Sequence, residues 1–203
     1  KRTRLGIIEG WLSIGGNIVL FILKLWAGMV TGSVAIIADA WHTLSDSFSS
    51  IIVLIGMKVA RKPADREHPF GHGRAELIAS LIIGVLLAVI AFNFILESAN
   101  KLKSKESVDY GTIAIVAIVS SIAVKEGLAQ FAFWANRKTR SNTLKADGWH
   151  HRSDAISSVI ILIGIFFGDL YWWIDGVLGI LVAIMIAYAS YEVINDAIFL
   201  LMY

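Results

Sequence analysis

Apolar residues gather into six stretches separated by short polar segments, at roughly 7–30, 33–59, 75–98, 111–135, 143–167 and 173–201. About twenty apolar residues at a helical rise of 1.5 Å cross a hydrocarbon core of about 30 Å, so each stretch predicts one membrane-spanning helix. Two connections are very short, at Thr31-Gly32 and at Gly168-Asp169-Leu170-Tyr171, which requires tight antiparallel hairpins. The two prolines, Pro63 and Pro69, fall in one loop, so the helices should run unbroken. The pattern predicts an all-α membrane protein of six transmembrane helices, with residues 1–203 forming one domain.

The polar positions inside these stretches are not scattered. Ala38-Asp39-Ala40-Trp41-His42-Thr43-Leu44-Ser45-Asp46 is followed by a second copy, Ala146-Asp147-Gly148-Trp149-His150-His151-Arg152-Ser153-Asp154. Aligned at an offset of 108, residues 38–56 and 146–164 share 12 identities in 19. Three predicted spans separate the copies, so the second and fifth helices cross in opposite directions. An odd number of helices per repeat means an inverted three-helix repeat, and such repeats place their sites near the midplane.

Composition sharpens this picture. The chain is 57% hydrophobic and 17% charged, against about 25% charged for a soluble domain. The mean hydropathy of +0.70 likewise reads as a multi-pass protein embedded in a lipid bilayer. A formal charge of +2 is too small to imply a nucleic-acid partner. The absence of cysteine removes disulfides and thiolate ligands, so any metal must use His, Asp, Glu or water. No cleavable signal peptide stands out, and a start at Lys1 with an end at Tyr203 reads as a trimmed chain.

Basic residues set the orientation. Lys1, Arg2, Arg4, Lys58, Arg61, Lys62, Arg66, Arg74, Arg137, Lys138, Arg140 and Lys145 fall on one side, and Lys101, Lys103 and Lys105 on the other. That asymmetry predicts both termini in the cytoplasm, with Tyr171, Trp172 and Trp173 in the outer interfacial belt.

Each motif copy sets a His four residues before an Asp, so His42 shares a helix face with Asp46, and His150 with Asp154. Ionisable groups are costly inside a bilayer and mark paths for ions or protons. Two nitrogens and two oxygens suffice to enclose a tetrahedral divalent metal. Imidazole with carboxylate suits Zn²⁺ and neighbouring transition ions, whereas Mg²⁺ and Ca²⁺ prefer all-oxygen shells. A histidine must be neutral to ligate, so the metal competes with a proton, which gives a physical basis for metal/proton antiport. Asp39 and Asp147 lie three residues before their histidines. They can support a ligand through its N–H, relay protons, or partner a base, and support is favoured over direct ligation. His151 points about 100° away from His150 and is expected to contact a neighbouring helix. Trp41 and Trp149 are expected to pack between helices. Lys24, Lys125, Glu126, Glu192 and Asp196 read as helix-to-helix pairs or as side chains snorkelling to the interface.

These motifs, with six spans and cytoplasmic termini, resemble the membrane domain of the cation diffusion facilitators, which export divalent transition metals in exchange for protons. The resemblance covers essentially all 203 residues and implies that the transport ligands are His42, Asp46, His150 and Asp154. His at the first of these positions resembles zinc-type members, which implies Zn²⁺ as the transported ion, with Cd²⁺, Co²⁺ and Fe²⁺ as companions. In the loop from Pro63 to Arg74, Asp65, His68 and His72 resemble a second, cytoplasmic metal site of some zinc members; solvated loop histidines are the alternative. Arg74 resembles a basic position that pairs with an acid after the sixth helix, where this chain has Met202. The resemblance further implies a homodimer and, as the expected location, a prokaryotic cytoplasmic (inner) membrane. Most members continue into a small cytoplasmic α/β domain after the sixth helix, and no segment resembling it occurs within these residues.

Two other functions use the same four ligands. An intramembrane metalloenzyme would keep an open coordination position beside an acid or base, and a structural metal would only clamp helices. Two complete His/Asp pairs related by an inverted repeat favour a closed, releasable site, hence a transporter and not an enzyme.

Overall fold

The computed structural model describes residues 2–60, 75–168 and 170–202. Those residues form six helices: α1 (Arg2–Thr31), α2 (Val34–Ala60), α3 (Ala75–Ser104), α4 (Gly111–Thr139), α5 (Asn142–Gly168) and α6 (Ile174–Met202). Among the described residues, five are long and apolar enough to cross a membrane, and α2 is the helix that carries Asp39, His42 and Asp46.

The short connections have the chemistry a reversal needs. Gly32 takes a left-handed φ of 67°, which costs glycine little, and lets the chain double back after Thr31. Ser33 then caps α2, its Oγ accepting the Ile36 N–H at 3.1 Å. Between α4 and α5, Arg140 takes φ 50° and donates its N–H to the Asn136 carbonyl at 2.7 Å, ending α4 in one residue.

The core is largely apolar, and it is the exterior that departs from a water-soluble bundle. Large apolar side chains face outward at helical spacing, as with Ile78, Ile82, Val85, Val89, Phe92 and Leu96 on α3. The interior holds Asn17, Lys24, Asp39, Thr43, Ser47, Ser121 and Lys125. An apolar exterior of this extent is the surface of a protein dissolved in lipid. Hydrophobic driving force between helices is weak there, so small residues and internal polar bonds hold the bundle together. Gly84 of α3 lies so close to α6 that an added Cβ would fall on Ile194, and Ser190 donates to the Gly84 carbonyl at 2.7 Å.

At the end of the bundle where α1 meets α2 and α5 meets α6, the buried Asp175 of α6 gathers several chains. It accepts the Val34 N–H at 3.0 Å, the Tyr110 hydroxyl at 3.0 Å and the Lys101 ammonium at 3.0 Å. The Ser33 hydroxyl donates to it as well. The carboxylate thus sits at the N-terminus of α2, where the helix dipole favours negative charge. It fixes the entry of the helix that carries His42 and Asp46.

Candidate metal centre

α2 and α5 each carry one His/Asp pair, and the bundle brings the two pairs together. Ligand atoms of His42, Asp46 and Asp154 all lie within 4.8 Å of one another. His150 Nε2 lies beside this group of three, 3.7 Å from Asp46 Oδ1 and 3.6 Å from Asp154 Oδ2. His42 Nε2 lies 3.9 Å from Asp154 Oδ1. A tetrahedral ion with bonds of about 2.0 Å sets its ligands about 3.3 Å apart, closer than each of these nitrogen–oxygen distances, so the side chains would draw in around it.

Burial is uneven across the group. His42 and Asp154 are buried, whereas the His150 side chain is 52% exposed and forms the open edge. Both ring nitrogens of His42 are shielded from solvent without a hydrogen-bond partner among the described residues. A buried imidazole left in that condition costs free energy, and a metal ion is one of the few partners that would satisfy it.

A fifth side chain belongs to the site. Lys125, from the middle of α4, places its ammonium 2.7 Å from Asp154 Oδ2 and 3.1 Å from Asp46 Oδ2. At 1% exposure it cannot snorkel to an interface, and those two carboxylates offset its charge.

The sequence profile of the cation efflux transmembrane domain matches residues 10–202. The chain belongs to the cation efflux family. Among its relatives are the uncharacterized transporter MJ0449 of Methanocaldococcus jannaschii, 39% identical over 90% of this chain and 65% of that protein. The magnetosome protein MamM of Magnetospirillum gryphiswaldense is 33% identical over 82% of this chain and 53% of its own length. The manganese efflux system protein MneP of Bacillus subtilis is 29% identical over 94% and 67%, respectively. The chain thus spans about half to two thirds of the length of these relatives. As a cation efflux family member it is a multi-pass integral membrane protein, and the family consists of divalent metal transporters rather than enzymes.

In this cation efflux domain the remaining motif residues occupy distinct places. Asp39 does not face the four-residue group. Its Oδ2 lies 2.7 Å from the ammonium of Lys24 on α1, and that ammonium also donates to Thr43 Oγ1 at 3.0 Å. Of the roles open to Asp39 from sequence, this is the partner of a base. Asp147 is half-buried on α5, one turn before His151. His151 turns to α1, where its Nε2 lies 3.3 Å from Glu9 Oε1. Trp41 packs edge-on to Phe21, and Trp149 edge-on to Phe133, each across a helix interface. Asp65, His68, His72 and Arg74 lie outside the described residues.

Of the two readings open to Lys125 from sequence, the structure shows the helix-to-helix pair, but the sequence does not tell that its partners are Asp46 and Asp154. Its helix carries no His/Asp pair, so nothing local marks it. The signal that was available is its position amid Val124, Leu128 and Ala129, too deep in an apolar stretch for an ammonium without a partner.

Proposed function

We propose that this chain is the membrane domain of a secondary transporter that exports Zn²⁺, with Cd²⁺, Co²⁺ and Fe²⁺ as companions, from the cytoplasm in exchange for protons. The ion is held by His42, Asp46, His150 and Asp154. The observation that carries this reading is the approach of two His/Asp pairs from separate helices inside the bundle, with His42, Asp46 and Asp154 mutually close and His150 beside them. Two imidazoles favour a zinc-like ion over Mg²⁺ or Ca²⁺, and the same imidazoles bind metal only when unprotonated, which couples metal release to proton uptake. Asp39 serves the fold through Lys24, and Asp147 is left as the acid beside His150 that can relay protons.

The inverted repeat, the cytoplasmic termini and the homodimer belong to the same proposal. So does a second metal site at Asp65, His68 and His72, for which metal counting on His68→Ala and His72→Ala should show lost stoichiometry.

The test of transport is flux into sealed proteoliposomes. Zn²⁺ added on one side should drive proton movement the other way, and Asp46→Ala and Asp154→Ala should abolish it. Undiminished exchange in both variants would rule out these carboxylates as the transport site.

A further inference from the structure

We propose that Lys125 is a built-in competitor of the transported metal: its ammonium bridges Asp46 and Asp154 when no metal is bound, and has to leave their oxygens for a divalent cation to take them. This rests on the assignment of His42, Asp46, His150 and Asp154 as the transport site.

The geometry makes the two cations mutually exclusive. Lys125 engages Oδ2 of both aspartates, at 2.7 Å for Asp154 and 3.1 Å for Asp46. Asp154 Oδ2 is also the oxygen nearest His150, at 3.6 Å, so the ammonium occupies an oxygen the ion would need. Charge leads to the same conclusion. Two carboxylates and one ammonium leave a single negative charge; adding a dication beside the ammonium would set three positive charges against two negative ones. In a region largely closed to water that repulsion is poorly screened.

The lysine also has somewhere to go. Helical side chains lean toward the N-terminus of their helix, which directs Lys125 past Ser121, one turn earlier on α4. Ser121 and Ser158 are both buried, with their hydroxyl oxygens 3.4 Å apart, and Ser158 stands one turn beyond Asp154 on α5. These hydroxyls offer an ammonium a polar berth away from the carboxylates. The device is present in one half of the repeat only. The residue at the corresponding position, 108 earlier, is Asn17, which is buried and uncharged.

A tethered competitor weakens metal binding and hastens release, since the ammonium can return as the ion departs. It also screens the cargo. A monovalent ion gains too little from the carboxylates to displace an ammonium already hydrogen-bonded to both, whereas a divalent ion that also binds His42 and His150 gains enough.

The experiment is titration of Zn²⁺ alone into purified protein in lipid nanodiscs, comparing wild type, Lys125→Met, Lys125→Arg and Asp154→Ala. Lys125→Met should bind Zn²⁺ about tenfold tighter or more, because the competing charge is gone. Lys125→Arg should stay within about threefold of wild type, because the charge is kept. A merely structural lysine would give the opposite sign, since its loss would loosen the site. Unchanged or weaker binding by folded Lys125→Met overturns the proposal. Should Lys125→Met fold poorly without metal, Zn²⁺ present during purification is expected to restore it by replacing the ammonium; failure to fold even then also overturns the proposal. If wild type and Lys125→Met bind Zn²⁺ no better than Asp154→Ala, the transport-site assignment itself falls. If wild type exceeds Asp154→Ala but Lys125→Met merely equals wild type, only the competitor role falls.

Discussion

Replacing Asp39 by Ala should destabilise the bundle strongly, through Lys24. The Lys24 ammonium is 1% exposed, with Asp39 Oδ2 at 2.7 Å and Thr43 Oγ1 at 3.0 Å. In Asp39→Ala only the neutral threonine hydroxyl remains to offset a buried positive charge. Breaking one side of such a pair costs about 3–5 kcal/mol. For a chain of this size each kcal/mol shifts the midpoint by about 2–4 °C, so the melting temperature should fall by roughly 6–20 °C. Removing both charges, as Lys24→Met with Asp39→Leu, should recover most of the loss and come within about 2 kcal/mol of wild type. Thermal unfolding in mild detergent with metal chelated reads both values. The double variant should still bind Zn²⁺, because Asp39 faces Lys24 and not the ligand group. A loss below about 1 kcal/mol in Asp39→Ala, or a double variant no more stable than the single one, would show that Asp39 does not hold the buried Lys24 charge.

Four further variants test packing and charge, all read by the same unfolding measurement. Asp175→Ala should cost about 2–4 kcal/mol, since it removes the acceptor shared by Lys101, Ser33 and Tyr110, while Tyr110→Phe should cost only about 1 kcal/mol. Gly84→Ala should cost about 1–3 kcal/mol, because the new Cβ falls on Ile194 at the interface between α3 and α6. Arg152→Ala should cost under about 1 kcal/mol: its pair with Glu126 is close, at 2.6 Å, but the side chains are 33% and 40% exposed.

The helices were legible because membrane spans are dictated by one quantity, the length of apolar chain. The stretch read at 33–59 becomes α2 at Val34–Ala60, and the stretch at 173–201 becomes α6 at Ile174–Met202. The boundary that moved most is that of α3, which continues from the expected 98 to Ser104, because a helix has no reason to stop where the hydrocarbon does. The two His/Asp pairs were legible because ligand spacing within a helix is local. What packing adds to them, the approach of His42 to Asp154 and of His150 to Asp46, is not local. For the same reason neither buried lysine revealed its partner. Lys24 and Asp39 are 15 positions apart, Lys125 and Asp154 are 29 apart, and only the folded bundle brings each pair together.

Under the proposed function, His42, Asp46, His150 and Asp154 jointly hold the transported ion. Zinc K-edge X-ray absorption on Zn²⁺-loaded protein in membranes tests it most directly, with His68 and His72 replaced by Ala so that one site is observed. Four nitrogen and oxygen neighbours at about 2.0 Å are expected, two of them imidazoles, with one imidazole lost in His42→Ala and one in His150→Ala. Six oxygen neighbours, or a spectrum unchanged by both substitutions, would contradict it.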